Sequence, residues 1–245
     1  MGKPMAALAA ASLTAVLAAT QVVPASAVAD CSVPTEIVSS TVSPKKVVLG
    51  VAQPKGIVIT VRIRSNGCTV DRVQFGLYGP NFIDDVDLEP VGTTNGVTTY
   101  DKGLRITPGN VPNAEAGLWK TFVSVWGQEF PNAPGPNFQM LRAARLTSNA
   151  TPEPVRKGKT ITVRGQLDRA DWDALAYRGY GGREVQLQWR SPKGTYRTVK
   201  TVTSAKSGSV TATVKAARDG CFRFAFKGST TTAAASSAGD CVDVR

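Results

Sequence analysis

Residues 57–64 read IVITVRIR, and the order of those letters decides the fold class. Ile57, Ile59, Val61 and Ile63 fall on one side of an extended chain. Val58, Thr60, Arg62 and Arg64 fall on the other. A period of two with one apolar face is the mark of a strand lying on a core, because successive side chains of a strand point to opposite faces. The same rhythm recurs in CTVDRVQFGLYGP (68–80), GVTTYDKGLRIT (96–107), LWKTFVSVWG (118–127) and FQMLRAARLT (138–147), with Gly, Pro, Asn and Asp between them. No stretch carries a convincing helical period, so the chain reads as all-β.

A second series follows SNATPEPVRKG (148–158). Pro152 and Pro154 bias their neighbours to extended shapes, and the segment reads as a short stiff linker. Beyond it come TITVRGQL (160–167), EVQLQWR (184–190), TYRTVKTVTS (195–204), SVTATVKA (209–216), GCFRFAFKG (220–228) and GDCVDVR (239–245). About seven short strands in roughly a hundred residues suggest an immunoglobulin-like sandwich. The expected architecture is therefore two immunoglobulin-like β-sandwich domains in tandem, residues 30–147 and 148–245. Each is large enough for its own core.

The first 29 residues have the order of a secretory signal peptide: Lys3, a small-apolar run from Met5 to about Val23, then Ala25-Ser26-Ala27-Val28-Ala29. No later apolar run is long enough to span a bilayer, so no transmembrane anchor is expected and the protein reads as secreted and extracellular. Export makes disulfides the default for the four cysteines, Cys31, Cys68, Cys221 and Cys241. Four cysteines allow three pairings, and the spacing favours near neighbours, Cys31–Cys68 and Cys221–Cys241. In the last two strands Phe222, Phe224 and Phe226 should face the core, as should Val242 and Val244. Cys221 and Cys241 then both face away and can lie opposite each other on antiparallel neighbours.

The wording of PEPVRKGKTITVRGQLDRADWD, YRGYGGREVQLQWR, YRTVKTV, DGCFRF and GDCVDVR resembles an immunoglobulin-like repeat module of secreted actinobacterial two-domain proteins. Most such proteins are uncharacterised, and some are labelled calcium-binding. The resemblance covers about residues 150–245, with the first half similar to the domain that accompanies the module. It implies a secreted two-domain β protein and brings no established activity.

Histidine is absent from the sequence, which excludes Ser-His-Asp and Cys-His catalysis and histidine metal sites. No G-x-S-x-G, P-loop or dinucleotide fingerprint occurs. The formal net charge is +11, and residues 148–245 hold 17 basic against 8 acidic side chains, while residues 30–147 hold 11 against 10. A basic second half favours anionic partners such as a wall polymer or glycan, but its basic residues are scattered without a clustered run, which reads first as a solubility feature of a secreted protein and gives no specific nucleic-acid site.

Three places are candidates for a site. LDRADWDALAYRGYGGR (167–183) joins two strands and reads first as a structural corner, with Asp168, Asp171 and Asp173 capping turns. If exposed, Trp172, Tyr177 and Tyr180 would form a ligand-binding cluster instead. NFIDDVDLEPVG (81–92) sets Asp85, Asp87 and Glu89 on one side of an extended chain and Asp84 on the other. It reads first as a solvated edge or loop; as an alternative it could hold Ca²⁺, a hard cation that takes oxygen ligands, though it lacks the EF-hand pattern. The same carboxylates would have to face each other across a cleft to act as a glycoside hydrolase. Finally, Trp119, Trp126, Phe130 and Phe138 should mostly be core or a loop lid, around a Pro-, Asn- and Gly-rich tip at 127–137 that could be a contact surface. The expected role is non-enzymatic binding or structure at the envelope or in the medium, with calcium binding as the alternative and carboxylate hydrolysis a distant third. No cofactor other than Ca²⁺ is expected.

Overall fold

The computed structural model describes residues 31–245, so the segment read as a signal peptide lies outside the described residues. The described chain is all-β, and its one helical element is the short 3-10 turn Asn113–Glu115. No helix among the described residues is long and apolar enough to cross a membrane.

The first sheet is built from β1 (Glu36–Ser43), β2 (Lys46–Leu49), β3 (Lys55–Arg64), β4 (Val70–Tyr78), β5 (Ile83–Thr94), β6 (Val97–Ile106), β7 (Gly117–Gly127), β8 (Asn132–Pro134) and β9 (Phe138–Arg142). Its path runs β1-β3-β6-β5-β4-β7-β9-β2, with β8 beside β7 and the β2–β9 pair parallel. The long β5 turns this path over on itself. Its first half, Ile83–Leu88, pairs with β4, and its second half, Glu89–Thr94, pairs with β6. The register slips between Pro90 and Gly92 at that change of partner. Such an irregularity bends a strand, and Pro90 has no N–H to give to a ladder. Ile57, Ile59, Val61 and Ile63 of β3 thereby meet Val73, Phe75 and Leu77 of β4 and Val123 and Val125 of β7 in one buried core. The alternation of IVITVRIR is met residue for residue: those four side chains are all 2% exposed or less.

The second set comprises β10 (Ala144–Leu146), β11 (Asn149–Thr151), β12 (Thr160–Asp171), β13 (Ala176–Gly179), β14 (Glu184–Arg190), β15 (Arg197–Thr203), β16 (Ser209–Lys215), β17 (Gly220–Phe226), β18 (Ala235–Ser236) and β19 (Asp240–Val242). β12 is the hub of one sheet, pairing with β10, β11, β13 and β16. The other runs β15-β14-β17-β18, with β19 also on β17. Their inner faces share a core in which Ile161, Val163 and Leu167 face Val185, Leu187, Phe222, Phe224 and Phe226.

Two sequence readings change here. FQMLRAARLT is not one strand. It breaks at Ala143, with β9 in the first sheet and β10 already paired to β12. The segment read as a linker begins with β11, whose Ala150 is buried in the second core. Its two prolines follow that strand, so they end pairing instead of spacing two bodies apart.

Both disulfides form between the near neighbours, Cys31 with Cys68 and Cys221 with Cys241. Cys221 and Cys241 lie directly opposite in the β17–β19 ladder, on the face away from the phenylalanines. Cys241 is exposed, but Cys221 is buried, because the outer face is not bare. Tyr196 lies over Gly239 beside Cys221, with the Arg223 guanidinium 3.9 Å from the centre of its ring.

Candidate functional site

The corner at 167–183 is neither a free turn nor an exposed binding cluster. Trp172 is 0% exposed and belongs to the first core, although the strands on either side of its turn belong to the second sheet set. The β12–β13 hairpin carries it across. Trp172 Nε1 donates to the carbonyl of Leu49 at 3.0 Å, and the same carbonyl accepts from the Ala143 amide at 2.9 Å. Asn113 clasps the hairpin tip. Its side-chain oxygen accepts from the Trp172 amide at 2.9 Å, and its Nδ2 donates to Asp171 Oδ1 at 2.7 Å and Asp173 Oδ2 at 2.6 Å. Arg142 Nε reaches the Ala170 carbonyl at 2.5 Å. Tyr180 is 5% exposed and packs edge-on to Phe226 in the second core. Tyr177 packs against the first core under the Arg145 guanidinium, 3.6 Å from its ring centre. The ligand-binding expectation for Trp172, Tyr177 and Tyr180 is thus corrected: a large apolar ring lowers its free energy most by leaving water, and a neighbouring core had room for it. Of the aspartates, Asp171 caps its own turn through the Ala174 amide, as expected, and Asp168 accepts from Gln166 Nε2 instead.

The clasp has a pH signature. The Asn113 amide, then the Ala174 amide, hold the Asp171 carboxyl below its ordinary value, with Arg142 and Arg178 adding attraction and partial burial opposing it. A carboxyl depressed in the folded state contributes stability that is complete above its unfolded value, about 3.9 for Asp, and is lost as pH falls through the folded value. The melting temperature of the protein should therefore drop below about pH 4, and part of that drop should vanish in Asp171→Asn. Parallel pH profiles of the two proteins would show the clasp to be irrelevant to acid stability.

The acidic strip is exposed, and its members do not converge. Asp85, Asp87 and Glu89 alternate on the outer face of β5, with Asp84 on the opposite side. Asp87 stands 3.8 Å from Arg72 Nε, and Glu89 stands 3.7 Å from Lys102 Nζ. Among the described residues, the one cluster of ligand-type side chains close enough to share an ion is Cys31, Cys68 and Glu129. Its two sulfurs are already joined to each other. The carboxylates also sit on one open strand, so nothing places two of them across a cleft.

What the sequence reading touched only at one end is the outer face of β4, β5, β7 and β8. The ladders put Trp126 opposite Arg72, Ser124 opposite Gln74, Phe122 opposite Gly76 and Lys120 opposite Tyr78, all pointing away from the core. β5 adds Asp87, Asp85 and Ile83 to the last three of those rows, and β8 brings Pro134 beside Phe122 and Asn132 beside Ser124. Two apolar platforms result. Trp126 is 41% exposed and meets Phe130, 62% exposed, edge to face at 5.7 Å, with the Arg72 guanidinium 4.9 Å from the indole. The second platform is Phe122, Pro134 and Tyr78. The Tyr78 ring lies flat across Gly76, where a Cβ would stand 2.7 Å from its Cε2. Only glycine there lets the ring lie down on the sheet. A depression of about 580 Å³ lined by Tyr78, Lys120, Phe122, Pro134 and Asn137 opens beside it. Trp119 and Phe138, by contrast, are core residues, their tilted rings 5.7 Å apart.

No family model matches the chain, and no curated protein does. Among solved structures it is similar to the adhesin InvE of Yersinia pseudotuberculosis, at 14% identity and a TM-score of 0.32, over 83% of this chain and 59% of that one. It is also similar to dimeric latent PorU from Porphyromonas gingivalis, at 14% identity and a TM-score of 0.32, over 86% of this chain and 20% of that one. The chain thus spans less than two thirds of the length of either. At this level of similarity no property of those proteins carries over, and the candidate site rests on its own geometry. The alternation LWKTFVSVWG held the missing signal: Leu118, Phe122 and Trp126 share one face while Trp119, Val123 and Val125 share the other, so a strand with one buried face leaves the other apolar set in water.

Proposed function

We propose that this chain is a non-catalytic extracellular binding protein, and that its contact surface is the outer face of β4, β5, β7 and β8. The carrying observation is the exposure of Trp126 and Phe130, held together on the same sheet face as Phe122 and Tyr78. Exposed aromatic rings in contact, like Trp126 and Phe130, are unfavourable in water and mark contact sites, where rings offer a large area at little cost in side-chain freedom. Two disulfides fit an oxidising compartment, which supports a place of action outside the cell. The reading is tested by retention of the purified chain on envelope material from the producing cells. Trp126→Ala combined with Phe130→Ala should release the protein while leaving its unfolding free energy within about 1 kcal/mol, as expected of exposed positions. Undiminished retention of the double variant would refute the assignment of the face.

The basic second half supports an additional contact with anionic polymer. Arg169 and Arg183 of that half both stack on Tyr180, at 4.1 and 4.5 Å from its ring centre, and Arg145, just before it in the chain, stacks on Tyr177. Guanidinium groups held against rings lose little further freedom on meeting an anion. Replacing Arg145, Arg169 and Arg183 by Gln should make retention less steeply dependent on salt, since exposed charge pairs are screened within about 10 Å at 0.1 M.

A further inference from the structure

We infer that the occupant of the aromatic face is a neutral, hydroxyl-rich glycan chain lying along β7, stacked at two points; this rests on the binding reading above. Trp126 and Phe122 are four residues apart on the same face, about 13 Å at the rise of a strand. Between them lies a polar row, Asn132, Ser124, Gln74 and Asp87, running across β8, β7, β4 and β5. A ring, a band of donors and acceptors, and a second ring match a ligand whose apolar C–H faces alternate with hydroxyl groups. A protein partner with an apolar contact face would have to strip water from this row, and although Gln74 Nε2 donates to Asp87 at 3.5 Å, burying its remaining donors and acceptors without partners is unfavourable.

Charge narrows the choice further. The face holds Arg72 and Lys120 against Asp85 and Asp87, with Arg72 and Asp87 already facing each other at 3.8 Å. These cancel, so the face lacks the positive field that draws an acidic polymer, although the chain as a whole is strongly basic. Asp85, beside the Tyr78 ring, would repel a carboxylate or phosphate and accept hydrogen bonds from hydroxyls. The cationic excess sits elsewhere, so the two kinds of ligand are separated on the molecule.

Titration calorimetry with linear neutral oligosaccharides, the glucose, mannose and xylose hexamers, tests the proposal beside heparin as the anionic probe. At least one neutral hexamer should bind, with an affinity little changed between low and high salt. Its dimer, which reaches one platform only, should bind about tenfold or more weakly. Trp126→Ala and Tyr78→Ala should each weaken the hexamer by a similar factor, both positions being exposed and safe for folding. If no neutral hexamer binds, or if dimer and hexamer bind alike, the glycan inference is overturned. The binding role itself survives that result when Trp126→Ala still abolishes retention on envelope material, and falls with it when retention is unchanged.

Discussion

Replacing Trp172 by Ala should destabilise the protein by about 3–5 kcal/mol, the range for removing a fully buried large aromatic. That corresponds to a fall in melting temperature of roughly 6–20 °C for a chain of this size. The ring is wholly buried, its indole N–H is satisfied by the Leu49 carbonyl, and its removal would also leave that carbonyl with one donor instead of two. The location of the damage is the sharper expectation. Trp172 sits on the β12–β13 hairpin, yet it is packed among side chains of the first core. Hydrogen exchange should therefore accelerate in β2, β3 and β9 of the first sheet, and less in β14 and β17, whose phenylalanine core it does not touch. Trp172→Phe, which keeps most of the apolar area but loses the hydrogen bond, should recover most of the stability. A loss below about 1 kcal/mol for the alanine variant, or exchange confined to the second sheet set, would contradict the placement of the Trp172 ring in the first core.

Removing the Cys221–Cys241 bridge by the double change to Ser should destabilise by about 3 kcal/mol, because the bridge closes a loop of about 20 residues in the unfolded chain. Denaturant unfolding measures it directly. The native register brings the two residues opposite each other whether or not the bond forms, since β19 is paired to β17 on both sides of it. The variant should accordingly keep its strand content and lose stability through the unfolded state. A variant that unfolds at the wild-type denaturant concentration would show the bond to be ornamental; one that fails to fold would show that β19 docks only because it is tied.

The strands were legible in the sequence because period two is a local property. The inward set of β3, the phenylalanines of β17 and the opposed cysteines of β17 and β19 all follow from counting alternate residues. What alternation cannot say is which core a side chain enters. Trp172 follows the buried Ala170 at the end of β12, where the strand has outrun its own sheet, and its destination is set by the crossing at Ala143. The β2–β9 parallel pair and the short β10 and β11 are similarly non-local, and three-residue strands have too few letters to show a period. The aromatic face was half visible. Trp126 and Phe130 drew attention through the tip that joins them, but Tyr78 and Phe122 join the surface only because β4 and β7 are neighbours in this register. Gly76 carries no signal of its own in the sequence, and in the structure it is the bed of the Tyr78 ring.

Hydroxyl-radical footprinting of the full chain bound to envelope material, against the chain alone, tests the binding face most directly. The account predicts protection of Trp126, Phe130 and Tyr78, with Leu175 and Val199, exposed elsewhere, unchanged. Oxidation of Trp126 and Tyr78 at the same rate in both samples, with protection appearing elsewhere, would contradict it.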